Sequence, residues 1–129
     1  MKKKQGKVVT PAACSPWPHE MRMAKILAEA GSDVKFIVKR EGKKINSADI
    51  FLGDEIWEMK APDGKTLDSV ERNLRRGSAQ SDRVVFASWR MKGVPDEAIL
   101  RELKSSLARV ERIKRLKFIN RHREIIDIK

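Results

Sequence analysis

The sequence predicts a single α/β domain: one mixed β-sheet with helices packed against it, in the order α-β-β-β-α-β-α-β-β. Three observations carry that expectation. Apolar residues recur at three- and four-residue spacing in three segments, and short β-branched or aromatic runs lie between them. One helical segment stands between two strands, which requires a crossover and hence parallel pairing somewhere in the sheet. A length of 129 residues suits one core and is too short for two.

Residues 1–18 read as a basic, flexible arm. They combine Lys2, Lys3 and Lys4 with Pro16 and Pro18 and show little periodicity, whereas residues 19–129 form the domain proper. The first helix covers 19–30, with Met23, Ala24, Leu27 and Ala30 on one stripe, Pro18 suited to its first turn and Gly31 to its C-terminal cap. Val34-Lys35-Phe36-Ile37-Val38 and Ala48-Asp49-Ile50-Phe51-Leu52 bracket the turn-like Glu41-Gly42-Lys43-Lys44 and should pair as a hairpin. After Gly53-Asp54, a third strand runs from Glu55 to Ala61 and stops at Pro62-Asp63-Gly64.

A second helix over 66–80 places Leu67, Val70, Leu74 and Gly77 on one stripe, and Arg83 to Trp89 follows as a buried strand. Pro95-Asp96-Glu97 opens a third helix with carboxylates in its first turn, and Ile99, Leu100, Leu103, Leu107 and Val110 form its apolar face. Residues 116–119 and 124–128, joined by Asn120-Arg121-His122-Arg123, make a terminal hairpin.

Charge narrows the function. With 29 Lys+Arg against 18 Asp+Glu the net charge is +11, which favours a polyanionic partner. A 40% hydrophobic fraction excludes a wholly disordered chain. No apolar run approaches the roughly 18 residues of a membrane span, and the N-terminus lacks the apolar stretch of a secretion signal, so a soluble protein is expected. Cys14, the one cysteine, can form neither an internal disulfide nor a thiolate metal site, which is compatible with a reducing compartment.

A protein that merely coats nucleic acid needs no carboxylates inside its sheet, yet acids gather there. Glu-x-Lys occurs at Glu41/Lys43, Glu58/Lys60 and Glu102/Lys104, but only Glu58/Lys60 interrupts an apolar strand. On a strand, residues two apart share a face, so Glu58 and Lys60 point together while Trp57 and Met59 point the other way. If the second and third strands are adjacent, Asp49 brings a second carboxylate to Glu58. Two carboxylates facing one lysine are costly to bury without a balancing charge, and a hard divalent cation, Mg²⁺ or Mn²⁺, supplies one. The lysine could then orient or deprotonate a water, or neutralise charge on a scissile phosphate. Phosphodiester hydrolysis is the chemistry implied.

Helix, three strands, helix and strand, with Asp49 and Glu58-Met59-Lys60 on the second and third strands, resembles the core of the PD-(D/E)xK nuclease superfamily. The resemblance covers 19 to about 89. It implies a PD-(D/E)xK-like core α-β-β-β-α-β followed by a helix and a C-terminal hairpin, with Asp49 and Glu58 as metal ligands and Lys60 as the catalytic lysine. Many members carry a glutamate on the first helix near the metal, a place that Glu20 fits, and some carry a glutamine and tyrosine four apart on the second. Gln80 matches the first of that pair, Val84 stands at the second, and Ala48 stands where the motif's proline would be.

The arrangement from His19-Glu20 through Trp57-Glu58-Met59-Lys60 to Gly77-Ser78-Ala79-Gln80-Ser81 and the closing hairpin is also similar to nuclease domains at the C-termini of bacterial polymorphic toxins. These include the tRNA-cleaving domains of contact-dependent growth inhibition systems. That likeness implies a toxin effector acting on tRNA or DNA in the cytoplasm, delivered within a larger secreted toxin and countered by an acidic immunity protein. Two rival readings stay open: a metal-independent tRNA-cleaving toxin using His19 and Lys60, and a non-catalytic nucleic-acid-binding module whose carboxylates are structural ion pairs. The helix between strands argues against the barnase-like fold of the first rival.

Arg75, Arg76, Arg83 and Arg90 are the expected phosphate contacts. Asn73, on a helical stripe with Arg76, Gly77 and Gln80, adds an amide. Nucleic-acid affinity should therefore fall steeply with salt through counterion release, even in inactive variants. Each arginine contact removed should flatten the log–log slope by about 0.7 to 0.9 in filter-binding or fluorescence titrations.

Overall fold

The computed structural model describes residues 5–38 and 49–129. Its elements are β1 (Val8–Val9), α1 (Pro18–Glu29), β2 (Val34–Phe36), β3 (Ile50–Leu52), β4 (Glu55–Lys60), α2 (Asp68–Ser78), β5 (Arg83–Ala87), α3 (Asp96–Leu107), β6 (Arg115–Ile119) and β7 (Ile125–Asp127). The seven strands lie side by side in chain order. β2, β3 and β4 form an antiparallel meander, and β7 closes antiparallel on β6. The α2 and α3 crossovers make β4, β5 and β6 parallel, which is the pairing that the interposed helix predicts.

Alternation along the strands divides the core between the two faces of the sheet. Val34, Phe36, Ile50, Trp57, Met59, Val85 and Ile119 pack with Met23, Ala24 and Leu27 of α1. Val84, Phe86, Leu116 and Phe118 pack with Val70 and Leu74 of α2 and Ile99 and Leu103 of α3. β5 is covered on both sides, which explains its nearly unbroken apolar run. One carboxylate ties the α3 end of the sheet: Asp96 accepts from the Ser88 hydroxyl and from both the backbone N–H and the guanidinium of Arg121. Among the described residues no helix is long and apolar enough to cross a membrane.

The expected elements are present with shifted ends. α1 starts at Pro18, α2 spans Asp68–Ser78 within the expected 66–80, and Trp89 lies beyond β5. Ala30 is the exposed C-cap of α1, and Ile26 and Ala28 take up the burial expected of it. The turn of the first hairpin, with Glu41 to Lys44, lies outside the described residues, as do Ala48 and Lys2 to Lys4.

One strand was not expected. β1 lies within the predicted arm and pairs parallel with β2. Its two valines carry no periodicity, and what holds the segment is tertiary. Val34 N–H donates to the Lys7 carbonyl (2.8 Å), Lys7 N–H to Asp33 Oδ1 (2.9 Å) and Gly6 N–H to the Ala28 carbonyl (2.7 Å). Gly6 has no room for a side chain, since a Cβ there would stand 1.9 Å from the Ser32 carbonyl oxygen. Gly6→Ala should therefore undock β1 and leave the core intact: hydrogen exchange at the Val34 amide should quicken by an order of magnitude or more, with β5 and β6 amides unchanged.

Candidate active site

β4 changes partners halfway along its length. Glu55, Ile56 and Trp57 pair with Leu52, Phe51 and Ile50 of β3, whereas Glu58, Met59 and Lys60 pair with Val84, Val85 and Phe86 of β5. Extending the first register by one step sets Asp49 opposite Glu58, and Asp49 N–H donates to the Trp57 carbonyl (3.2 Å). At this fork the Met59 N–H donates to both acids, at 3.0 Å to Asp49 Oδ2 and 3.2 Å to Glu58 Oε1. Two carboxylate oxygens thus lie within 3.2 Å of one nitrogen. Both residues are buried, with Asp49 8% and Glu58 1% exposed.

Strand parity holds as read from the sequence. Trp57 and Met59 enter the core beneath α1, and Glu58 and Lys60 face α2. At Gly77 α2 lies directly over both side chains, since a Cβ there would be in ordinary contact, 3.5 Å from Lys60 Cε and 3.6 Å from Glu58 Cγ. Any larger side chain would push on the glutamate and the lysine together.

Glu20 reaches the same region from α1 and, with Asp49, Cys14, Trp17, Phe36 and Ile37, lines a cavity of about 270 Å³. Its Oε1 accepts the Trp17 N–H (2.8 Å), a helix-capping bond. Arg90 closes the far end of β4, its Nη1 donating to the Ala61 carbonyl (2.7 Å) and lying 3.4 Å from His19 Nε2, with Asp63 3.7 Å from the guanidinium. Burial first, then the Arg90 charge, holds His19 below its ordinary pKa, against the opposing pull of Glu20, Asp49 and Asp63.

The remaining expected residues are not drawn to the carboxylates by the contacts they make. Gln80 lies half-buried in the turn after α2, its N–H bonded to the Gly77 carbonyl, beside Ser81, whose hydroxyl donates to the Ile56 carbonyl. Asn73 spends its amide on the Ser69 carbonyl of its own helix (2.7 Å). Arg75 pairs with Glu71, and Arg83 with Glu55 and Asp82, while Arg76 is exposed. Two neighbours of the site make contacts that periodicity does not reveal: His19 touches Arg90, and Trp17 lines the cavity. The flanking Pro16 and Pro18 are the signal that could have singled out Trp17.

Among the described residues no group of three or more His, Cys, Asp or Glu side chains is arranged to hold a metal ion. Asp49 and Glu58 offer a hard, all-oxygen pair. That pair fits Mg²⁺ or Mn²⁺, which bind through one or two carboxylates and leave other positions to water or phosphate.

Neither a protein-family model nor a curated protein matches the sequence. Among solved structures, the fold is similar to a chain of the CdiA-CT/CdiI toxin and immunity complex from Burkholderia pseudomallei, with a TM-score of 0.69 and 16% identity over 96% of this chain and 99% of that one. At that identity the likeness establishes a shared fold.

Two buried acids on one N–H repel each other wherever both are ionised. Asp49→Asn keeps an acceptor for Met59 and removes one charge, so in the presence of chelator urea-unfolding stability should change by no more than about 1 kcal/mol. A larger loss would show that Asp49 is held by its charge and not by that bond.

Proposed function

We propose that this chain is a divalent-metal-dependent endonuclease that hydrolyses phosphodiester bonds of nucleic acid, and that it serves as a toxin effector. The observation that carries the reading is the convergence of Asp49 and Glu58 on the Met59 N–H, with Lys60 on the Glu58 face, in a domain of net charge +11. The resemblance to the PD-(D/E)xK core supports it. A structural neighbour drawn from a toxin and immunity complex supports the effector role and an immunity partner, and the net charge of +11 suits an acidic face on that partner; in this reading the chain is delivered within a larger secreted protein and acts in the cytoplasm. The substrate is RNA such as tRNA, or DNA.

Each residue then has a task. Asp49 and Glu58 would hold Mg²⁺ or Mn²⁺, and Glu20 shares a cavity wall with Asp49 alone of the two. The chemistry such a cation supplies is polarisation of the scissile phosphate and a lowered pKa for attacking water. Lys60 sets an ammonium where negative charge grows on the phosphate, a contact worth more in a half-buried strand than in water. Arg90, fixed by the Ala61 carbonyl, offers its guanidinium to a flanking phosphate. Gln80 contributes an amide from the turn after α2, and the arginines of α2 and β5 with Asn73 extend the binding face.

His19 favours a second reading. A histidine held neutral beside an arginine is equipped to act as a general base without metal, in partnership with Lys60.

Incubation with tRNA, plasmid and single-stranded DNA, with Mg²⁺ or with EDTA, separates the two. EDTA should abolish cleavage in the first reading and spare it in the second, and a chain that cuts nothing in either condition is a binding module. Glu58→Ala and Lys60→Ala should each lower the cleavage rate by about a hundredfold or more while far-UV circular dichroism is unchanged, and Glu102→Ala should retain full activity.

A further inference from the structure

Three tryptophans occupy different environments. Trp57 is 1% exposed in the core, and Trp89 is half-buried with the Arg22 guanidinium 4.4 Å above its ring. Trp17 is 68% exposed although it lines the same cavity as Asp49 and Glu20. An exposed indole on a cavity wall offers a large, flat apolar face to a ligand.

Its backbone is fixed from every side. Pro16 precedes it, and Pro18 at the first helical position holds it in the extended region, at φ −65° and ψ 154°. Its N–H is held by Glu20 Oε1, and its carbonyl accepts the Met21 N–H at 3.0 Å. The ring stacks on the His19 imidazole, with centroids 6.5 Å apart and planes 13° from parallel, and His19 in turn touches Arg90. Three planar groups, guanidinium, imidazole and indole, thus follow one another, and the indole is the one that lines the cavity. A rigid aromatic face at the mouth of a cavity whose carboxylates would hold a cation fits a nucleotide with its phosphate on that cation and its base outside. A base paired within a duplex keeps both faces covered by its neighbours, so only an unpaired base can land on the ring.

We propose that Trp17 is a stacking platform for an unpaired nucleobase beside the scissile phosphate, and that the substrate is single-stranded where it is cut. This rests on the nuclease reading of the Asp49–Glu58 site. Base–aromatic stacking tolerates any sequence, so the platform selects for strandedness and not for base identity.

The test uses the full chain carrying Lys60→Ala, titrated in Mg²⁺ at fixed salt with a short labelled single-stranded RNA, the DNA of the same sequence, and the corresponding duplex. Adding Trp17→Ala should weaken binding of whichever single strand is the ligand by about 5- to 150-fold and leave the duplex unchanged, and Trp17→Phe should restore most of the loss. Equal single-strand affinity with and without the indole would overturn the proposal. So would an equal loss on the duplex, which would mark Trp17 as a general support of the fold. Cleavage by the parent chain is scored separately, so that active enzyme with no Trp17 effect removes the platform alone. A Trp17-dependent preference in a chain that cuts nothing removes the nuclease reading and keeps the stacking face.

Discussion

A backbone N–H shared by two carboxylates is the constraint around which the molecule is arranged. Met59 can offer its hydrogen to Asp49 and Glu58 together because β4 leaves β3 at Trp57 and joins β5 at Glu58, opening the sheet where the acids meet. That fork needs a parallel neighbour for the second half of β4, and the α2 crossover supplies one in β5. It also places α2 close above a glutamate and a lysine, at Gly77. A sheet of uninterrupted pairing would have spent the same N–H on a strand neighbour and left the acids no common anchor.

Much of this was legible in the residues. Glu58 and Lys60 interrupt an apolar run with a period of two, and that alone assigns them to one face and Trp57 and Met59 to the other. The short Gly53-Asp54 connection fixes the register that brings Asp49 across, and Gly53 accordingly turns with φ +61°. Periodicity says which face a side chain takes but not which neighbour claims its lone pairs or its hydrogens. Asn73 lies on the expected stripe yet bonds its own helix, and Arg75 and Arg83 are drawn to nearby acids. β1 escaped for a related reason, since two valines become a strand only through the Ala28 carbonyl, the Val34 N–H and the Asp33 carboxylate that meet the segment.

The +11 charge is not a uniform coat. Glu71 bridges Arg75 and Arg109 between α2 and the end of α3, Arg123 holds Glu29, and Lys117 holds Asp127 across the last hairpin. Such exposed pairs contribute little stability, but they decide which cations keep their charge for a partner. Arg90 is the exception in kind. Its partners are a carbonyl, a histidine and the exposed Asp63 carboxylate at 3.7 Å, so its orientation is fixed by the end of β4 and, among the described residues, only one exposed ion pair offsets its charge.

Glu20 joins the two halves of the cavity. A carboxylate that caps a helix might be thought lost to chemistry, because its Oε1 is already committed to the Trp17 N–H. The geometry argues otherwise. A carboxylate has two oxygens and about four lone-pair directions, and one N–H occupies only one of them. Pro18 already sets the first turn of α1, so the bond does less for the helix than for Trp17, whose peptide it ties to the wall that Asp49 shares. Rigidity at the rim and negative charge within the cavity therefore come from the same residue. Replacing Glu20 by glutamine would keep the first and remove the second, so the two contributions are separable, as Asp49→Asn separates the bond to the Met59 N–H from the charge.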